Sequence, residues 1–212
     1  ADGWWSGRTG MSGDSCQFGD TTGLLLEARI TFEDGTVQTV SAENGVSHTG
    51  PLVRSDIFVG EKYDARLEMP NWDTAEFSAD DWKPVKKAEY GFENLIGQYG
   101  ASVKSVKILQ PKEIIRSPKG EYILDVGQIV AGNVEITLDA EAGKTIKLEH
   151  SEVLDEEGNY YNNIIGVNKE QQDVYVTKEG KQTYRPHFTW HGFRYVRVTG
   201  WPGEMTTENF KI

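Results

Sequence analysis

The sequence predicts an all-β protein built from two antiparallel β-sandwich modules. Three observations carry this. Short runs of alternating apolar and polar residues recur along the 212 residues. Turn signals such as Asp34-Gly35, Glu141-Ala142-Gly143-Lys144, Asp155-Glu156-Glu157-Gly158-Asn159 and Glu179-Gly180 separate them. No stretch sustains a helical period. Short strands with regularly spaced turns favour antiparallel sandwiches over a parallel α/β sheet.

Leu24, Leu26, Ala28, Ile30 and Phe32 alternate with Leu25, Glu27, Arg29 and Thr31, the pattern of a half-buried strand. Asp34-Gly35 supplies a tight hairpin turn, from which Thr36-Val37-Gln38-Thr39-Val40 returns antiparallel. Ser55-Asp56-Ile57-Phe58-Val59 and Tyr63-Asp64-Ala65-Arg66-Leu67 flank a turn at Gly60. Trp72 and Trp82 are expected to plug a core or cover its edge. Composition shifts between Lys83 and Gln110, where Pro84, Gly91, Gly97 and Gly100 break any periodicity. A module boundary is placed there, near Leu95, giving modules 1–95 and 96–212. Val103, Val106 and Ile108 are read as a strand crossing between them.

In the second half, Tyr122-Ile123-Leu124-Asp125-Val126 reads as a strand, and Val134, Ile136 and Leu138 alternate in the next. Ile146, Leu148 and His150 share one face of the strand after that, and Asp173 to Thr177 is strand-like. The last strand lies in Tyr184-Arg185-Pro186-His187-Phe188-Thr189-Trp190-His191-Gly192-Phe193-Arg194-Tyr195-Val196-Arg197-Val198-Thr199-Gly200. Simple alternation there sets Phe193, Tyr195 and Arg197 against Val196 and Val198.

The net charge of −11 lacks the basic footprint of a nucleic-acid binder and disfavours anionic membranes. No run of about 18 apolar residues predicts a membrane-spanning helix. The lone Cys16 allows no intrachain disulfide, and no local histidine activates it. The opening Ala1-Asp2-Gly3-Trp4-Trp5 shows no signal peptide and reads as a cut from a longer chain.

Candidate chemistry is sparse. Glu61, Asp64, Glu149, Glu152, Asp155 and Asp173 are acidic, but no spacing among them specifies the carboxylate pair of a glycosidase. His187 and His191 would share a face only on a helix, and here they flank β-type sequence, so structural roles are expected. Asp155 to Asn159 lacks the ligand alternation of a calcium loop. No glycine cluster sits in a strand-to-helix phosphate cradle. What remains is sugar recognition. Trp4, Trp5 and Arg8 lie in a Gly/Ser-rich opening where rings stack on sugar C–H faces and a guanidinium bonds hydroxyls. Core packing of one of the two tryptophans is the competing expectation.

An ordered series of motifs resembles the β-sandwich region of bacterial α-L-rhamnosidases over nearly the whole chain. Gly3-Trp4-Trp5-Ser6-Gly7-Arg8, the hairpin Ile30-Thr31-Phe32-Glu33-Asp34-Gly35, and Gly50-Pro51 with Asp56-Ile57-Phe58-Val59-Gly60-Glu61-Lys62-Tyr63-Asp64-Ala65-Arg66 carry it in the first half. Leu124-Asp125-Val126-Gly127-Gln128, Ala131-Gly132, His150-Ser151-Glu152-Val153-Leu154-Asp155 and Phe188-Thr189-Trp190-His191-Gly192-Phe193-Arg194-Tyr195 follow in the same order. Ile129, Asn133 and the stretch 164–169 depart from the family pattern in loops.

The resemblance implies two jelly-roll-like sandwiches. Residues 1–95 resemble the rear part of the N-terminal-type sandwich, truncated at its N-terminus. Residues 96–212 resemble a concanavalin-like sandwich. It further implies a parent enzyme, an inverting hydrolase of terminal α-L-rhamnose, whose catalytic residues lie in an (α/α)6 barrel. The present chain is thus expected to be a non-catalytic accessory piece with no catalytic residue and no metal ligand of its own assigned. Its implied partners are that barrel and rhamnose-containing glycans, and its implied cofactor is calcium in the first module. Nucleic acid and membrane are not expected partners. The parent is expected to be exported or periplasmic. A stand-alone carbohydrate-binding module is the alternative reading. A truncated first module would also expose a sheet edge and tend to self-associate.

Overall fold

In the second half of the chain the alternating apolar residues become strands that share one core. The computed structural model describes residues 2–8, 13–89, 91–166 and 169–212. Its strands are β1 (Glu27–Thr31), β2 (Val37–Ser41), β3 (Val46–Ser47), β4 (Leu52–Asp56), β5 (Gly60–Asp64), β6 (Lys83–Pro84) and β7 (Glu113–Arg116). They continue with β8 (Tyr122–Gly132), β9 (Glu135–Ala140), β10 (Thr145–Ser151), β11 (Gln172–Val176), β12 (Gly180–Tyr184), β13 (His191–Thr199) and β14 (Phe210–Lys211). Helical structure among the described residues is confined to three single 3₁₀ turns, so the all-β reading holds.

The residues group into two units, each discontinuous in sequence. One comprises Ala1–Asp20, Gly50–Glu68 and Val106–Ile212, and the other Thr21–Thr49 and Met69–Ser105. The contiguous division drawn near Leu95 does not follow this grouping. The reason is strand pairing. β4 and β5 form a hairpin, and β5 continues parallel to β11, with Tyr63 opposite Tyr175. Gly60 makes this approach feasible. Its φ is +105°, and a Cβ there would lie 2.0 Å from the Gln172 carbonyl oxygen.

The larger unit is a sandwich. A seven-stranded sheet in the order β4-β5-β11-β10-β13-β8-β7 faces a three-stranded sheet in the order β12-β9-β14. All pairings except β5 with β11 are antiparallel. Leu124, Ile146, Leu148, Tyr175, Val196 and Val198 from one sheet meet Ile136, Leu138, Tyr184 and Phe210 from the other in one buried cluster. Each such side chain contributes about 1.5–3 kcal/mol by leaving water.

Alternation fails at one place in this core. Pairing of β13 with β8 slips between Phe193 and Tyr195, so that Val126 to Ile129 of β8 span the gap that Arg194 alone spans in β13. The irregularity changes the phase of the strand. Phe193 therefore shares the core with Val196 and Val198, and does not face away from them as alternation predicts.

The smaller unit holds two separate ribbons. The β1–β2 hairpin pairs Ala28 with Val40 and turns at Gly35, whose φ is +85°. Asp34 Oδ1 accepts from both the backbone N–H and the hydroxyl of Thr36, closing the turn. Every residue of β1 is exposed, so the expected half-burial of Leu24 to Phe32 is not realised. The second ribbon pairs β3 with β6. Trp82 is half-buried against Phe77 and His48, whereas Trp72 is exposed and plugs nothing. Val103, Val106 and Ile108 form no strand and are exposed. Three apolar residues with no partner strand have no ladder to join, and alternation alone does not supply one.

Candidate functional site

The opening segment is anchored at its backbone and presents its rings to solvent. The Asp2 N–H donates to the Ser55 carbonyl of β4 at 2.8 Å, and the Arg8 N–H donates to Asp56 Oδ2 at 2.6 Å. Asp56 Oδ1 meanwhile accepts from the Phe58 and Val59 amides, closing the β4–β5 turn. Gly7 is required in this fold-back, because a Cβ there would lie 2.2 Å from the Gly3 carbonyl oxygen.

So anchored, Trp4 stands edge-on to Trp5 at 5.6 Å and to Phe18 at 5.4 Å. Gly19 lies against the Trp5 indole, where a Cβ would come within 2.3 Å of the ring. Trp4, Trp5 and Phe18 remain 58%, 40% and 58% exposed, so neither tryptophan is a core residue. Arg8 is half-buried and donates to Glu170 Oε2 at 2.8 Å; Arg54 reaches the same oxygen at 3.7 Å. The three predicted sugar-contact residues are thus close in sequence and differ in role. Two present apolar ring surface, and the third is held by an acidic partner.

A groove of about 680 Å³ lies on the outer face of the large sheet, lined by Arg116, Tyr122, Lys147, Arg197 and Trp201 among others. Glu204 lines it, and so do two carboxylates that lie together, Glu121 and Glu149. Arg197 joins them, donating from Nη1 to Glu121 and from Nε to Glu149, both at 2.8 Å. Burial works to raise Glu121, but bonds from Arg197, the Tyr160 amide and Ser117 outweigh it and hold the acid below its ordinary range. A general acid needs the opposite shift. Asp64 and Asp155, two further candidates, are also engaged, whereas Glu152 is exposed. Asp64 caps a 3₁₀ turn and pairs with Arg66, and Asp155 closes its own loop through the Asn159 amide.

The large sheet also buries a polar cluster that the spacing of residues did not announce. Glu61 is fully buried on β5. It accepts from the Tyr184 hydroxyl at 3.1 Å, the His187 N–H at 2.9 Å and the Phe188 N–H at 3.3 Å, with His187 Nδ1 at 3.0 Å. His187 therefore does not join His191. Instead, His191 lies 3.2 Å from both oxygens of Asp173 and stacks at 4.1 Å on His150. Desolvation pushes the His150 imidazole down to about 3. Burial acts to raise Asp173, yet the bond from His191 and the neighbouring His150 hold it low. The one signal in the sequence was His150 sharing a face with Ile146 and Leu148, a polar ring aimed at an apolar core.

Calcium takes roughly six to eight oxygen ligands. Among the described residues the one convergent group of three or more His, Cys, Asp or Glu side chains is His150, Asp173 and His191. It lies in the larger unit and offers two nitrogens. This donor set does not fit the calcium implied for the first module. Among the described residues no helix is long and apolar enough to cross a membrane.

Comparison with known proteins gives a consistent result. Residues 1–107 match the α-L-rhamnosidase N-terminal domain and residues 115–212 the bacterial α-L-rhamnosidase concanavalin-like domain. An α-L-rhamnosidase of Streptomyces avermitilis is 35% identical over 98% of this chain and 20% of its own length. One from Formosa agariphila is 32% identical over 97% of this chain and 22% of its own. The crystal structure of the S. avermitilis enzyme complexed with L-rhamnose superposes with a TM-score of 0.90 at 32% identity, covering 99% of this chain and 20% of that one. That of the native Aspergillus terreus enzyme gives 0.91 at 32% identity, covering 99% and 25%. The chain thus spans about a fifth of the length of the curated relatives it matches. It belongs to the α-L-rhamnosidase family, of which it carries the N-terminal and concanavalin-like domains.

Proposed function

We propose that this chain is an accessory β-sandwich region of a bacterial α-L-rhamnosidase that holds rhamnose-containing glycans for a catalytic (α/α)6 barrel in the same parent chain. The observation that carries the reading is the exposed aromatic group of Trp4, Trp5 and Phe18 on a segment whose backbone is pinned to β4. Exposed aromatic surface of this kind stacks on the C–H face of a sugar ring at little conformational cost. Arg8 and Glu170 beside it supply a donor and an acceptor for hydroxyls. The relative from S. avermitilis, described as a complex with L-rhamnose, supports the choice of sugar.

Hydrolysis is assigned to the barrel. Of the carboxylates lining the groove, Glu121 and Glu149 share one guanidinium, an arrangement that stabilises ionised acids and supplies no proton to a leaving group. The test is calorimetric titration of the chain with L-rhamnose, with and without calcium. Saturable heat that disappears in Trp4→Ala is the expected result, and the calcium arm decides whether that ion takes part. Absence of heat in both arms refutes sugar binding by this region and leaves a scaffold. Rhamnoside hydrolysis by the chain alone would overturn the assignment of catalysis to the barrel.

A further inference from the structure

His150, Asp173 and His191 come from β10, β11 and β13 and meet inside the sandwich, where the carbohydrate reading makes no use of them. Their side chains are 0%, 0% and 1% exposed. His150 Nδ1 lies 3.1 Å from the Gln171 carbonyl oxygen. A carbonyl only accepts, so Nδ1 carries the proton, and Nε2 of the neutral ring is a bare lone pair. That atom has no hydrogen-bond partner and is sealed from water. It faces Asp173 Oδ2 at 3.8 Å. Two electron-rich atoms across a dry gap repel each other, and although Asp173 Oδ2 has His191 Nε2 at 3.2 Å, His150 Nε2 gains no partner from the protein.

The stack of the two imidazoles, tilted by 25°, brings His191 Nε2 to the same oxygen at 3.2 Å. The three ligand atoms lie within 4.8 Å of one another. A tetrahedral zinc ion with bonds of about 2.0–2.1 Å sets its ligand atoms about 3.4 Å apart. The distances of 3.2 and 3.8 Å bracket that value. Orienting groups behind the ligands are also in place. The Gln171 carbonyl fixes the His150 tautomer, and the Glu61 N–H holds Asp173 Oδ1 at 2.9 Å, leaving Oδ2 to face the imidazoles.

We propose that His150, Asp173 and His191 form a buried site for a divalent transition metal, zinc by its donor chemistry, which ties β10, β11 and β13 together. Binding needs a lone pair on His191 Nε2, so the proton that Nε2 donates to Asp173 is exchanged for one on Nδ1 and the neutral ring binds as its other tautomer, with no net proton release. The metal neutralises the repulsion that His150 otherwise meets. Because the site is sealed, it loads as the sandwich folds.

The test is refolding of the 212-residue chain from guanidinium with chelator removed, in the presence of Zn²⁺ or Co²⁺, followed by desalting. Expected are one equivalent of metal by elemental analysis and the visible bands of tetrahedral cobalt. A rise in Tm of about 5–10 °C is expected at a hundredfold excess over Kd. His150→Phe keeps a ring against Phe193 and removes the ligand, so it loses both metal and Tm shift while remaining folded. A wild-type chain that refolds without retaining metal overturns the proposal, whether or not the variant folds. So does a folded His150→Phe variant that retains the same equivalent, which would place the ion elsewhere.

Discussion

Asp125→Asn is the most direct probe of how the irregular β8–β13 pairing is held. Asp125 is almost fully buried and receives Arg194 in a bidentate fork, Nε and Nη2 each at 2.9 Å. It also accepts the Gly127 N–H at 2.7 Å, inside the stretch of β8 that the slipped register leaves over. Asparagine keeps one acceptor and loses the charge and the fork. Charge-assisted hydrogen bonds contribute about 1.5–3 kcal/mol each, but Arg194 is 36% exposed and regains water when released. The discounted loss is about 2 kcal/mol, or a fall in Tm of about 4–8 °C for a chain of this size. Arg194 holds the Asp125 carboxyl below its ordinary range, so the folded pKa lies under the unfolded one. The ion pair therefore stabilises fully above about pH 4 and loses its effect as pH falls through the folded value. Urea unfolding of wild type, Asp125→Asn, Arg194→Met and the double variant at pH 7 and pH 3 reads both quantities. A loss under about 0.5 kcal/mol, or single effects that simply add, would refute the reasoning. The slipped register would then rest on the packing of Phe193 and Val196 alone.

Three further outcomes follow from the same structure. Glu61→Ala leaves the His187 and Phe188 amides and the Tyr184 hydroxyl without their acceptor, and is expected to cost about 3–5 kcal/mol by urea unfolding. Glu61→Gln keeps one acceptor for the amides and should recover more than half of that. Gly60→Ala forces a Cβ to 2.0 Å from the Gln172 oxygen at a φ of +105° and is expected to lose more than about 2 kcal/mol, with faster amide exchange in β5 and β11. Ile30 and Val40 in the exposed hairpin give the smaller unit a tendency to self-associate at high concentration, which Ile30→Lys with Val40→Lys should suppress. A wild-type chain that stays monomeric by light scattering would count against it.

The elements that were legible in the sequence are those whose signal is local. Asp34-Gly35 sets its own turn, and Ile146, Leu148 and His150 alternate onto a face that one core buries. Residues 24–32 alternate just as cleanly yet remain exposed, because alternation states which residues share a face and not whether anything covers it. The compositional boundary near Leu95 was drawn along the chain, whereas Gly50–Glu68 joins the larger unit through a parallel pairing with a strand more than a hundred residues away. Composition carries no trace of such a partner.

The same distinction governs the sites. Trp4, Trp5 and Arg8 were found because they are neighbours in the sequence, and the fold leaves both rings at the surface. The contact between Asp125 and Arg194 joins two of the motifs that carried the family resemblance, but neither motif alone says that the other completes it. His150 opens the run His150-Ser151-Glu152, in which adjacent strand residues point apart. Its real neighbours are across the ladder, Asp173 on β11 and His191 on β13. Spacing rules detect ligands that lie on one helix or one loop. A site assembled from three different strands of a sheet has no fixed spacing, so its only trace in the sequence is a titratable residue on an apolar face.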